Sequence, residues 1–226
     1  MTQEVNGAGI YLVKFFVNGV ESPVIIDDYL PTKNNKPCYA NSRDGELWVM
    51  LLEKAWAKLH GSYSRTEGGH CCHAAQQLLG VPSSSFDHGT VKQDVNSFWK
   101  DIRLYDKLNY TIFSSSNSGS DTNNVDGVVS GHAYSLISVF EVQIGSSQVR
   151  LMKMRNPWGS GVEWKGDWSD HSSLWTPQLK QQLGWTDAED GLFFISLDDY
   201  LSHYSHTSVC YMATENAHYS KFFNME

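Results

Sequence analysis

Residues 131–170 read GHAYSLISVFEVQIGSSQVRLMKMRNPWGSGVEWKGDWSD. Two apolar runs, Ala133–Ile144 and Val149–Arg155, flank the turn residues Gly145, Ser146 and Ser147. Two β-rich runs with a short glycine-containing joint predict an antiparallel hairpin. His132 opens the first arm and Asn156 closes the second, just before Pro157, so the hairpin returns the asparagine to the histidine. The arms differ in length, which requires a bulge or an offset. An asparagine amide oxygen can accept from one imidazole nitrogen, fix the tautomer and leave the other nitrogen free for a thiol. Trp158, two residues on, is placed to shield that bond from water. Singly, these features are ordinary: a histidine at a strand start is usually a satisfied surface or core residue, and Asn-Pro-Trp-Gly is usually only a turn.

The chain has 226 residues, enough for one large domain or two small ones. At 41% hydrophobic and 13% aromatic residues it can bury a sizeable core, which argues against disorder. The net charge of −8, without a lysine or arginine cluster, argues against nucleic acid as a partner. It leaves room for Ca²⁺, whose carboxylate ligands favour acidic surfaces. The N-terminus lacks a charged start followed by a long apolar core, and no run approaches 18 apolar residues; neither a signal peptide nor a membrane span is expected. Cys38, Cys71, Cys72 and Cys210 read as reduced thiols in a cytosolic setting. The cluster GGHCCHAA suggests zinc, but four contiguous residues cannot all face one ion from a helix, so Cys71 and Cys72 are expected to be helix-surface or core cysteines.

Tyr11–Val17 and Pro23–Asp27, joined by Asn18-Gly19, predict a hairpin. A polar loop, Leu30–Pro37, follows. Leu47, Trp48, Leu51, Leu52, Ala55, Trp56 and Leu59 repeat at three and four, one buried stripe of a helix that starts at Asp44 or Gly45 and ends at Gly61. A shorter helix runs from Gly68-Gly69 to Gly80. Val91–Leu108 reads as a helix with Val91, Val95, Phe98, Ile102 and Tyr105 on its apolar face. Asn109–Phe113 reads as a strand, and Ser114–Gly127, rich in Ser, Asn, Asp and Gly, as a mobile loop lying over His132. Trp164, Trp168 and Trp175 are too irregularly spaced for one amphipathic element and are expected to pack under loops. Gly191 precedes a strand, Leu192–Ser196; Ser196 then caps a short helix with Asp199 at its third position. Thr207–Ala213 reads as the last strand.

GHAYS followed by RNPWG, VEW, a Gly-x-Trp and SD resembles the second half of the calpain-type cysteine protease core. DDYLPTK, LEKAWAKLHGSY and the double glycine resemble the closing section of its first half. The resemblance implies an α+β, papain-like core, with a mainly antiparallel β second half and a helical piece of the first. Residues 1–80 would close the first half, 81–213 would form the second, with the hinge at Gly80-Val81-Pro82, and 214–226 would be a tail. It also implies that His132 and Asn156 are members of a Cys-His-Asn triad, with Trp158 beside them. A weak calcium site would use Glu163, Asp170 and Asp190, because Leu192 stands where the family has a further acid and an extra residue separates Asn156-Pro157-Trp158-Gly159 from Glu163. No other cofactor is implied.

The family's nucleophile lies in a Gly-x-Cys-Trp context, with an oxyanion-donating glutamine a few residues earlier. None of the four cysteines is followed by tryptophan. Cys71 and Cys72 start a helix, which would lower a thiol pKa, but they fall on the family's second, non-catalytic helix. Two expectations follow. The chain is a segment of a cytoplasmic calpain-like endopeptidase acting on proteins, with another segment supplying the cysteine; or it is an inactive scaffold that binds protein partners.

Overall fold

In the computed structural model, residues 7–42, 45–159 and 162–212 are described. Chain contacts separate one unit that ends at Val81 from a second that begins at Pro82.

The first unit opens with β1 (Ile10–Val17) and β2 (Val20–Asp27), paired antiparallel from Val17↔Val20 outward. Asn18 and Gly19 both have positive φ, as the tight type I′ hairpin turn requires. Alternate residues Tyr11, Val13 and Phe15, with Val24 and Ile26, form one buried face. The predicted polar loop contains a small hairpin, β3 (Thr32–Lys33) with β4 (Lys36–Pro37), whose turn residues Asn34 and Asn35 are left-handed. Helix α1 (Trp48–His60) lays Leu51 and Ala55 on the β1–β2 face and ends at a left-handed Gly61. Its N-cap is Leu47; Gly45 is not its start, and Asp44 lies outside the described residues. Leu47 and Trp48 are exposed, while Met50 and Ala57, outside the predicted stripe, are buried. Lys54 and Lys58 donate to the carbonyls of Tyr29 and Ile25, tying α1 to the end of β2. Helix α2 (Cys71–Leu79) ends at Gly80.

The second unit is built on one antiparallel six-stranded sheet. In chain order its strands are β5 (Ser83–Asp87), β6 (Thr111–Ser116), β9 (Ala133–Ile144), β10 (Ser147–Arg155), β11 (Leu192–Ser196) and β12 (Tyr204–Cys210). Their spatial order is β11-β10-β9-β6-β12-β5, and every pairing is antiparallel. β7 (Asn124–Val125) and β8 (Val128–Val129) form a separate small hairpin. The β9–β10 hairpin is buried on both faces, which is why its arms read as near-continuous apolar runs. Met152, Met154, Phe193 and Ile195 face a cluster completed by Phe98, Trp99, Ile102, Tyr200 and Leu201. Leu151, Val142 and Phe194 face the other way, onto Trp168, Trp175, Leu179 and Leu183.

The helices of this unit differ from the sequence reading in two places. The predicted helix over 91–108 is two helices, α3 (His88–Val91) and α4 (Val95–Lys107). The break is a cap: the Asp94 carboxylate accepts the Ser97 N–H, and a residue in that role leaves helical backbone angles. Helix α5 (Pro177–Leu183) was not predicted, although Thr176 caps it, Pro177 opens it and Gly184 closes it. Helix α6 (Leu197–His203) begins as expected, with Ser196 Oγ accepting from Asp199 N–H at 3.1 Å and donating to its carboxylate at 2.7 Å. The last strand ends at Cys210; Ala213 and the tail, 214–226, lie outside the described residues.

Candidate active site

The hairpin decides which side chains meet. The two-residue turn Gly145-Ser146 sets the register Ile144↔Ser147. The expected offset is a bulge: Ser138 pairs with Lys153 and Leu136 with Met154, leaving Ile137 without a rung. The arms therefore end level, and His132 Nε2 lies 3.0 Å from Asn156 Oδ1.

Asn156 is fully buried, and three backbone groups fix its orientation. Its Nδ2 donates to the Val162 carbonyl at 3.1 Å, and its Oδ1 accepts the Trp158 N–H at 3.1 Å. Its own N–H donates to the Gly191 carbonyl at 2.8 Å. A flipped amide would point a donor at the Trp158 N–H and an acceptor at the Val162 carbonyl, so Oδ1 must face the imidazole. An oxygen there can only accept, which places the histidine proton on Nε2. In the neutral ring Nδ1 then carries the free lone pair, and among the described residues no hydrogen bond reaches it. The Trp158 ring lies 4.6 Å from the imidazole, centroid to centroid, tilted by 45°, and stays 47% exposed. Tyr134 packs edge-on beneath, at 5.1 Å. Its hydroxyl accepts the Val129 N–H at 2.8 Å, and burial pushes its pKa up to about 12, so it stays neutral.

Two glycines make this packing possible. A Cβ at Gly191 would stand 2.7 Å from the Asn156 carbonyl oxygen, and one at Gly131 would stand 2.4 Å from that of Gly119. Both also have positive φ, so any larger residue would be strained as well as crowded.

The segment read as a loop over His132 is more ordered than its composition implies. Ser114–Ser116 belong to β6. Beyond them, Asn117 accepts the Gly131 N–H at 2.8 Å and donates its amide to the Ser202 carbonyl at 2.7 Å. Asn123 accepts the Ser130 N–H.

The three acids named for calcium share one charge environment. Glu163 Oε1 accepts the Gly191 N–H at 2.7 Å, and Asp190 Oδ1 accepts the Leu192 N–H at 2.9 Å. Burial, then the charges of Glu163, Asp187 and Asp190, push Asp170 up to about 6. Glu163 is raised by burial first, and further by Asp190 and Glu189. Among the described residues no three His, Cys, Asp or Glu side chains are grouped to hold one ion. Residues 160–161, which precede Glu163, lie outside the described set.

A family profile for calpain family cysteine proteases matches residues 1–211. The chain belongs to the calpain family of cysteine proteases. It is 37% identical over 228 residues to the calpain-type cysteine protease DEK1 of Arabidopsis thaliana, covering 97% of this chain but 10% of that protein. It is 36% identical over 216 residues to Calpain-8 of Rattus norvegicus, covering 92% of this chain and 30% of that protein. Calpain-A of Drosophila melanogaster is 33% identical over 221 residues, with 94% and 27% covered. The chain thus spans a tenth to less than a third of these calpains.

Two of the cysteines of this calpain-family chain, Cys71 and Cys210, sit in surroundings that disfavour a thiolate. Helix position was expected to lower the Cys71 thiol pKa; instead burial, helped by Cys72, raises it. Cys210 is fully buried at the far end of β12, paired with Thr111. Ser116, beside His132, is five residues further along β6, about 17 Å away.

Ser116 escaped the sequence reading, as did the carbonyls of Val162 and Gly191. No local signal marks them, because each is defined by a partner brought in by the fold.

Proposed function

We propose that His132 and Asn156 are the general base and the orienting residue of a Cys-His-Asn triad in a calpain-type cysteine endopeptidase. The observation that carries this is the 3.0 Å contact between Nε2 and an amide oxygen whose orientation its backbone neighbours dictate. Asn156 holds the Nε2–H tautomer, and Nδ1 takes the proton of a cysteine thiol and returns it to the leaving amine. Trp158 limits water access to the Nε2–Oδ1 bond. The nucleophile is outside these 226 residues, since no cysteine has the family's Gly-x-Cys-Trp context and Cys210 is far from the imidazole. A segment bearing that motif, with its oxyanion donor, completes the site. The substrates are proteins, and the setting is cytoplasmic, in keeping with the free thiols of Cys38 and Cys71. Glu163, Asp170 and Asp190 attract calcium weakly.

The chain alone should not cleave casein under reducing conditions. Adding a calpain section that carries Gly-x-Cys-Trp should restore cleavage; His132→Ala should abolish it and Asn156→Ala should reduce it strongly. Thiol-dependent cleavage by the chain alone, lost in His132→Ala, would show that one of its own cysteines is the nucleophile. A folded complex without activity would favour the second reading, an inactive calpain-like scaffold, for which the missing motif is the supporting observation.

A further inference from the structure

We propose that Ser116 is a positioning residue for the catalytic imidazole, an inference that rests on the triad reading of His132. The β6–β9 ladder runs Ser114↔Tyr134, Ser115↔Ala133, and its next rung joins Ser116 to His132. On that rung the Ser116 N–H donates to the His132 carbonyl at 2.9 Å, as an ordinary antiparallel pair would. The reciprocal bond is not to a backbone oxygen. The His132 N–H donates to Ser116 Oγ at 2.8 Å, and the same hydroxyl donates back to the His132 carbonyl at 3.0 Å.

One side chain therefore holds both polar groups of the His132 main chain. The Ser116 carbonyl, released from the ladder, accepts instead from Ser205 Oγ at 3.3 Å. Ser116 is buried, so water does not readily replace its hydroxyl. The rung lies where the strand ends: Gly131, before it, is left-handed, and the Gly119 carbonyl leaves no room there for a Cβ. Beyond this rung the Gly131 N–H donates to the Asn117 carbonyl at 2.8 Å, but that bond holds the residue before the histidine and not the His132 main chain itself. Asn156 grips the ring from one side, and Ser116 grips the backbone that carries it. Without the hydroxyl, the His132 main chain keeps one bond of three and the imidazole loses its fixed height opposite Oδ1.

The test reads the tautomer, because a merely structural serine would not move it. In the ¹⁵N-histidine-labelled chain, long-range ¹H–¹⁵N correlation should show neutral His132 as the Nε2–H form. Ser116→Ala should raise the Nδ1–H form roughly fivefold, the effect of losing one ordinary hydrogen bond. Ser116→Thr, which keeps the hydroxyl, should stay near the parent. Ser114→Ala is the control: it removes a buried hydroxyl from the same strand, bonded to Tyr200 at 2.7 Å, and should lower stability without changing the tautomer. An unchanged tautomer in Ser116→Ala, with amide signals of β10 and β11 intact, overturns the role of Ser116 alone. A shift in Ser114→Ala equal to that in Ser116→Ala also overturns it, since general loosening would then explain both. A parent His132 that is not Nε2–H overturns the His132–Asn156 reading itself, and this inference with it.

Discussion

His88 is 2% exposed and sits in a chain of polar groups whose directions are all determined. Its Nδ1 faces the Tyr204 carbonyl at 2.7 Å and must donate. Nε2 is then an acceptor, taking the Thr207 hydroxyl proton at 2.7 Å; Thr207 accepts from Tyr200, and Tyr200 from Ser114. A second proton on Nε2 would need the whole chain reversed. Burial lowers the His88 pKa to about 4 from an ordinary 6.5; the Tyr204 carbonyl and Asp87 oppose it, and His206 and Lys92 add to it. The unfolded chain takes up the proton first, so the stability His88 contributes is complete above pH 6.5 and falls away by about pH 4. The loss is on the order of 3 kcal/mol. Urea melts at pH 7, 5.5 and 4.5 should show this slope, and His88→Gln should flatten it; equal slopes in both would mean that His88 takes up its proton at the same pH whether folded or unfolded. The same chain explains why the serines here misled. Ser114 and Ser116 look like loop residues, yet they are buried strand residues because Tyr200 and the His132 main chain satisfy them. Those partners are 86 and 16 residues away, beyond any local pattern.

At the scale of elements, the sequence was most informative where one residue sets the geometry: Asn18-Gly19, the β9–β10 turn and the Ser196–Asp199 cap. The bulge was foreseeable only as a mismatch of arm lengths; its position depends on α4. β6 pairs with β9 only as far as Leu136, so the next residues of β9 lose a neighbour. Asp106 of α4 fills the role, its Oδ2 accepting the Val139 N–H at 3.2 Å and the Ser138 hydroxyl at 2.9 Å. Ile137 is thereby turned out, and the remaining arm is brought level with Asn156. Asp106→Ala should cost about 1–3 kcal/mol in a urea melt by leaving Val139 without its acceptor, and Asp106→Asn should cost less because one oxygen remains. An alanine variant as stable as the parent would mean that water replaces the carboxylate.

For the whole molecule, with net charge −8, the acids of the second unit matter more than their number suggests. Asp170 behaves oppositely to His88. Its pKa, near 6 in the folded protein and 3.8 ordinarily, means that the folded state holds the proton more tightly, so stability is gained as pH falls from about 6 to 4. At neutral pH the charged form is a burden of about 1 kcal/mol after solvent screening. Two routes relieve it: removing the charge or supplying a cation. Asp170→Asn should therefore raise the melting temperature at pH 7 without calcium. Millimolar Ca²⁺ should shift the parent only slightly, because Leu192 brings no oxygen and Glu163 and Asp190 already serve the Gly191 and Leu192 N–H groups. Leu192→Glu adds the missing carboxylate and should turn that slight shift into a clear, concentration-dependent one by mass action. The same change in Asp170→Asn should restore less of it, since one ligand is then neutral. A large calcium shift in the parent would mean that backbone oxygens complete the shell. No shift in Leu192→Glu would mean that these carboxylates repel one another from too far apart to share an ion.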